Sequence, residues 1–172
     1  MARKKFVNAL FIGRFQPLHD GHMEVIRDAA GSSDKLTIII AGPGKPDARN
    51  PFSFSERKRM IKLALSSAKI KNYVVRELRD VNADKRWSAA IARLGRFDIA
   101  YSRNPWTSRC LKAAGIPVAK HKFYARYKNC GRAIRERIMH RKSWSTLVPP
   151  AVYKYVQKIN GEKRIRGSLP EK

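Results

Sequence analysis

The clearest hydrophobic pattern lies at Lys35 to Ala41, where Leu36, Thr37, Ile38, Ile39 and Ile40 follow one another without a charge. A short unbroken apolar run of this kind is typical of a strand covered on both faces. Phe6 to Ile12 is a second such run, interrupted by Asn8 and leading into Gly13. Between the two, Gly21 to Ala30 carries Met23, Ile26, Ala29 and Ala30 at helical spacing, so residues 6 to 41 read as strand, helix, strand. That crossover is expected to be right-handed. The alternation goes on with a helix over Ser53 to Ser67, a strand over Tyr73 to Leu78, a helix over Asp84 to Leu94 and a strand over Phe97 to Tyr101. A further helix from Pro105 to Ala114 ends at Gly115, a suitable C-terminal cap, before a fifth strand over Ile116 to Lys120. Residues 130 to 160 read as helical, broken by Pro149 and Pro150, with Gly161 closing the second piece.

This order predicts an α/β chain: a doubly wound, mainly five-stranded parallel sheet of Rossmann type with a C-terminal helical tail. A single domain over 1–172 is expected, with an α/β core at 1–128 and a helical segment at 129–172. In such sheets ligands bind beyond the carboxyl ends of the strands, where the strand order reverses.

Composition narrows the class of partner. No apolar run approaches membrane-spanning length, and Phe6 to Ile12 leads into a motif rather than a cleavage site, so a cytoplasmic chain without a membrane partner is expected. Cys110 and Cys130 have neither metal-site nor redox-pair spacing and read as reduced structural thiols. The 38 Lys and Arg against 13 Asp and Glu give a formal charge of +25, which calls for anionic partners. Charge alone does not separate a polynucleotide from a phosphate-rich small substrate. Nine Lys or Arg face the single acid Glu136 between Lys120 and Lys142, so that segment must lie on a surface or wrap an anion.

The chemistry concentrates in Gly13, Arg14, Phe15, Gln16, Pro17, Leu18, His19, Asp20, Gly21 and His22, at the junction of the first strand and the first helix. Backbone N–H groups and the helix dipole favour an anion at such a junction. Two of the chain's four histidines fall here, bracketing Gly21, and can donate to one bound phosphate; Arg14 adds a fork of donors. Neither GxGxxG nor GxxxxGK[ST] is present.

The loop resembles that of the HxGH nucleotidyltransferases, and its long form GRFQPLHDGH is similar to the archaeal type of nicotinamide-nucleotide adenylyltransferase. Arg49 to Ser53 with Glu56 and Arg57, Tyr101 to Pro105, Asp80, Trp87, Ile134 with Arg135 and Arg137, Trp144 with Leu147 to Pro149, and Ile159 to Ile165 extend the likeness over nearly the whole chain. The resemblance implies an adenylyltransferase of NAD biosynthesis that joins ATP to nicotinamide mononucleotide (NMN) by in-line attack on the ATP α-phosphate. It implies His19, His22 and Arg14 as catalytic residues, and ATP held by Gly13, Arg14, Phe15, Gln16, His19, His22, Arg49, Ser102, Asn104 and Arg135. NMN would meet Trp87, Asp80 and Asp84, with Trp87 stacked on its ring; spacing alone gives Trp87 a place in the core. Mg2+ bound mainly through ATP phosphates, no metal ligand from the chain, and a homo-oligomer are further implications. The family usually carries hydroxyls where this chain has Cys130, Gly131, Arg132 and Ala133, and an asparagine where it has Asp84. A carboxylate at 84 accepts from an amide and repels an acid, favouring NMN over nicotinic acid mononucleotide. On the HxGH motif alone, an FAD synthetase, a phosphopantetheine adenylyltransferase or a cytidylyltransferase stays open. Outside enzymes, the charge leaves room for a non-catalytic nucleic-acid-binding protein on the same fold.

Overall fold

Residues Leu36 to Gly42 are buried in one continuous stretch, and the strand they belong to has a neighbour on each side. The computed structural model describes residues 5–79, 83–102, 104–119 and 130–167. In chain order the elements are β1 (Phe6–Gly13), α1 (Asp20–Ser32), β2 (Ser33–Gly42), α2 (Phe54–Ser67), β3 (Tyr73–Arg79), α3 (Asp84–Ala92), β4 (Ile99–Tyr101), α4 (Pro105–Ala113), β5 (Val118–Ala119), α5 (Gly131–Met139), a 3-10 turn (Ser145–Leu147), α6 (Pro150–Lys158) and α7 (Gly161–Gly167). The five strands form one sheet in the order β3-β2-β1-β4-β5, every neighbouring pair parallel. The Rossmann-like doubly wound sheet expected from the alternation is therefore present. Its order reverses between β1 and β4, where Phe11 lies opposite Tyr101, so Gly13 and Ser102 leave adjacent strand ends at the switch point. Among the described residues no helix is long and apolar enough to cross a membrane.

The chain divides into two compact units: residues 1–13, 25–42 and 72–122, and residues 14–24, 43–71 and 123–172. The first holds the sheet. Leu10, Ile39, Leu78, Trp87, Ile91, Phe97, Ala100, Cys110, Leu111 and Ile116 form its core. Burial there pushes the Cys110 thiol up, away from the reactive thiolate. Both cysteines are free thiols. In the second unit α2 packs on α6 and α5 on α7.

Several boundaries differ from the sequence expectation by a residue or more, and those of β4, β5 and the last helix differ most tellingly. β4 begins at Ile99 rather than Phe97, because the Asp98 carboxylate takes the N–H groups of Val7 (2.9 Å) and Asn8 (2.8 Å) before the ladder starts. β5 covers only Val118–Ala119, with Lys120 outside the described residues. Gly161 opens a helix instead of closing one. Asn160 takes the left-handed turn (φ 53°) that ends α6, and a Cβ on Gly161 would lie 2.8 Å from the Phe52 ring and from Val156, so glycine is needed there for close packing. Gly115, by contrast, has φ +73° just past α4, the cap its position suggested.

Candidate active site

The loop that follows β1 is fastened through its own backbone by side chains of the second unit. The Gln16 amide pairs with the Phe52 backbone both ways, donating to its carbonyl at 2.8 Å and accepting from its N–H at 2.9 Å. Arg57 is only 2% exposed; its Nη1 donates to the Arg14 carbonyl (3.0 Å) and its Nε to that of Ser53 (3.3 Å). Arg135 Nη1 donates to the Gln16 carbonyl at 2.6 Å. The start of α2 and the start of α5 thus hold residues 14–16, whose Phe15 sits buried at φ 50° before the cis Gln16-Pro17 bond. α2 is fixed at its start by a capping box between Ser53 and Glu56, and Arg164 closes on Glu56 (2.8 Å) and the Pro51 carbonyl (3.0 Å). Burial alone would raise the Glu56 carboxyl, but its hydrogen bonds from Arg164 and Ser53 outweigh this and hold it below the usual range.

Gly131 is the point of closest approach. A Cβ there would fall 2.8 Å from the Gln16 oxygen, a contact that forces α5 away from the loop. Gly131→Ala is therefore expected to cost about 1–3 kcal/mol, read as a lower urea midpoint with an unchanged m value. An unaltered midpoint would contradict the close approach.

His19 and His22 form a second capping box, built from imidazoles. The His22 N–H donates to His19 Nδ1 at 3.3 Å, and the His19 N–H donates to His22 Nδ1 at 3.3 Å. Spacing of three residues is what the box requires, with His22 in the place that Glu or Gln occupies elsewhere. The carbonyl of His19 accepts from His22 (2.9 Å) and Met23 (3.1 Å), which starts α1. The two rings stack with centroids 3.6 Å apart at 27°, and Phe15 leans on His22 at 4.7 Å. The geometry fixes chemistry as well as shape. An Nδ1 that accepts a hydrogen bond carries no proton, so each neutral ring bears its proton on Nε2 and becomes a donor there.

Burial drives the same choice. His19 is 8% exposed, and desolvation lowers its pKa from 6.5 to about 4, so the ring is neutral at pH 7. Because the folded value lies below the unfolded one, the unfolded chain binds more protons between the two. Stability is then complete above pH 6.5 and falls as the pH drops towards about 4, by roughly 3 kcal/mol in all. Urea titrations at pH 7.5 and 4.5 should show this loss in the parent protein and a shallower one in His19→Asn. Equal slopes would contradict it.

Of the residues implicated by sequence, Arg14, Phe15, Gln16, His19, His22, Arg49 and Arg135 fall in the second unit. Arg14 and Arg49 are exposed, and Arg49 follows a turn in which the Asp47 carboxylate accepts from the Arg49 N–H (2.8 Å) and the Asn50 N–H (2.7 Å). The Phe15 ring and the Gln16 side chain are buried, and Gln16 is engaged with Phe52. Ahead of Arg135, Cys130 stands at the N-cap of α5 and its Sγ accepts from the Ala133 N–H at 3.5 Å.

Gly13, Asp84, Trp87, Ser102 and Asn104 belong to the first unit. Ser102 is buried just after β4, and Asn104 caps α4 by accepting from the Thr107 N–H at 2.9 Å. Asp84 opens α3 and already has partners, accepting from Trp106 Nε1 at 2.8 Å and lying 3.5 Å from Arg109 Nη2. Trp87 is 2% exposed within the core. Asp80 lies outside the described residues. Among the described residues no three His, Cys, Asp or Glu side chains are grouped to hold a metal ion. Sequence reasoning gave no role to Arg57, although it shares a helical stripe with Met60, Ile61 and Ala64, an apolar face on which an arginine stands out.

Comparison with known proteins gives this arrangement a family. A family model described as cytidylyltransferase-like matches residues 10–149. The nicotinamide-nucleotide adenylyltransferase of Methanolobus tindarius is 38% identical over 160 residues, 92% of each chain. That of Methanocorpusculum labreanum is 38% identical over 91% of this chain and 94% of its own, and that of Halorubrum lacusprofundi 33% identical over 93% and 92%. Among solved structures, a bifunctional NMN adenylyltransferase/ADP ribose pyrophosphatase of Francisella tularensis, complexed with AMP and a Mn ion, superposes with a TM-score of 0.80 at 22% identity. The match covers 94% of this chain but 52% of that one, so the chain spans about half the length of the bifunctional protein, and the likeness speaks for the fold. With the HxGH pair at the start of α1 and relatives at 33–38% identity over nine-tenths of its length, the chain belongs to the cytidylyltransferase-like family, in its archaeal nicotinamide-nucleotide adenylyltransferase branch.

Proposed function

We propose that the chain joins NMN to the adenylyl group of ATP, giving NAD and pyrophosphate. A phosphate oxygen of NMN attacks the α-phosphorus in line; the new P–O bond forms as the bond to the bridging α,β-oxygen breaks, and pyrophosphate carries away the electron pair. The attacking group is already an anion, so no general base is needed, and positioning with charge stabilisation supplies the rate. The observation that carries this reading is the His19–His22 box: two imidazoles with Nδ1 engaged at a helix N-terminus, the buried His19 ring neutral and turned to donate from Nε2. Such donors stabilise charge growing on a transferring phosphoryl group without reorganising.

Arg14, Arg49 and Arg135 supply positive charge to the β- and γ-phosphates. Phe15 and Gln16 serve by shaping the loop, and Gly13, Ser102 and Asn104 attend the rest of ATP. Asp84, with Asp80 and Trp87, attends the acceptor. A cationic, carboxylate-poor set of this kind fits a divalent ion such as Mg2+ held through phosphate oxygens rather than by the chain. When bound, that ion screens the triphosphate. NAD formation and pyrophosphate release from ATP and NMN with Mg2+, set against CTP and against flavin mononucleotide, phosphopantetheine and nicotinic acid mononucleotide, tests the assignment. Pyrophosphate release with another pair but not with ATP and NMN would overturn it.

A further inference from the structure

A guanidinium is costly to bury, yet Arg57 shares the buried face of α2 with Met60, Ile61, Ala64 and Leu65. Its place in the first turn of that helix adds to the cost, because the positive end of the helix dipole repels a cation. An apolar side chain of similar length would avoid both penalties. Stability alone therefore gives no account of an arginine here, and the groups it holds do.

Nη1 of Arg57 reaches back 43 residues to the Arg14 carbonyl, while Nε takes the Ser53 carbonyl just before α2. The guanidinium is planar and its donors keep fixed angles to one another, so the two bonds set one carbonyl against the other. The Arg14 carbonyl belongs to the peptide plane that leads into Phe15. A flip of that plane changes ψ of Arg14 and φ of Phe15 together, and Phe15 has φ 50°, a left-handed value that a bulky L-residue keeps only where its surroundings impose it. Turning the Arg14 carbonyl towards Arg57 also turns the Phe15 N–H to the opposite side, since the two are antiparallel in a trans peptide. The bonds from Arg135 and between Gln16 and Phe52 act after Phe15, whereas Arg57 acts on the plane before it.

We propose that Arg57 is a positioning residue for adenylyl transfer: it holds the Arg14–Phe15 peptide in the left-handed turn and so keeps the loop before His19 in the form that receives the triphosphate. The inference rests on the proposed function and deepens it. Buried behind the loop, Arg57 acts through it rather than on the substrate.

Two variants test this. Arg57→Met keeps an apolar stem and removes the donors, and Arg57→Lys keeps the charge without the planar fork. Arg57→Met is expected to lower kcat/KM for ATP about a hundredfold per folded molecule, the scale for a binding group misplaced by an ångström, with KM for NMN changed less than about threefold. Arg57→Lys should recover about tenfold of that loss. An α,β-methylene ATP analogue should raise the melting temperature of the parent protein and raise that of Arg57→Met much less. If Arg57→Met does not fold, Arg57→Lys carries the same comparisons with the parent.

A lower melting temperature with unchanged kinetic constants and an unchanged analogue-induced shift would make Arg57 a packing residue and overturn the proposal. So would a loss of activity in which Phe15 keeps its left-handed turn, read from the coupling between its amide and α protons in 15N-labelled protein. The same coupling separates this inference from the function it rests on. A Phe15 turn that opens in Arg57→Met, while the parent releases no pyrophosphate from ATP and NMN, fails the function and keeps the hold on the loop; turnover that ignores Arg57 does the reverse.

Discussion

His19→Asn is expected to leave the protein folded while lowering kcat by about a hundredfold to a thousandfold, the scale for losing one preorganised donor to developing charge. Asparagine is among the best N-cap residues, so its side-chain oxygen replaces Nδ1 as the acceptor for the His22 N–H. It has no group at the reach of Nε2. The variant therefore separates the two duties of His19, which an alanine would remove together. KM for ATP should change much less than kcat, because the lost interaction belongs to the transition state. A fall in kcat smaller than about tenfold would assign His19 to capping alone. Single-turnover measurements with ATP and NMN distinguish a slower chemical step from slower product release.

Trp87→Ala is expected to act on the fold, with a loss of about 3–5 kcal/mol, the range for removing a large aromatic from a packed interior. The core cluster it belongs to draws on strands and helices alike, with Leu10, Ile39, Ile91 and Leu111 among its members. They cannot all move in to fill the space. Since a domain of this size has only about 5–15 kcal/mol to lose, the variant should melt far below the parent protein. Trp106→Leu, at a half-buried position, should shift the urea midpoint much less. A Trp87→Ala midpoint close to the parent's would contradict the place of that ring in the core.

The sheet was legible because its central strands announce themselves. Leu36 to Ala41 must be covered on both faces, and only a strand with helices on both sides of its sheet does that. Edges and ends were less legible because polar side chains set them. Asp98 delays β4 by taking two N–H groups from β1, and a carboxylate in an otherwise apolar run does not declare whether it will do so. Glycine usually marks a helix stop, and Gly161 in sequence has that look, whereas in the fold Asn160 makes the turn and the glycine admits the Phe52 ring.

The candidate site divides in the same way. His19 and His22 could be picked out from position and type, and their spacing of three already contained the capping box, once imidazole Nδ1 is counted as an acceptor equal to a glutamate oxygen. Trp87 shares a helical stripe with Ala90, Ile91 and Leu94, so its periodicity pointed to the interior while the resemblance pointed to the ligand. The partnership of Asp84 with Trp106 spans 22 residues and exists only because α3 and α4 start side by side. No local pattern reports such a pair.

The tautomers of His19 and His22 test the central claim most directly, through two-bond nitrogen–proton correlations in uniformly 15N-labelled protein at pH 7. Both rings should carry their proton on Nε2, and the His19 Nε2 signals should move when Mg2+ and a non-hydrolysable α,β-methylene ATP analogue are added. A proton on either Nδ1, or His19 signals that stay fixed while saturating analogue perturbs other residues, would contradict the account.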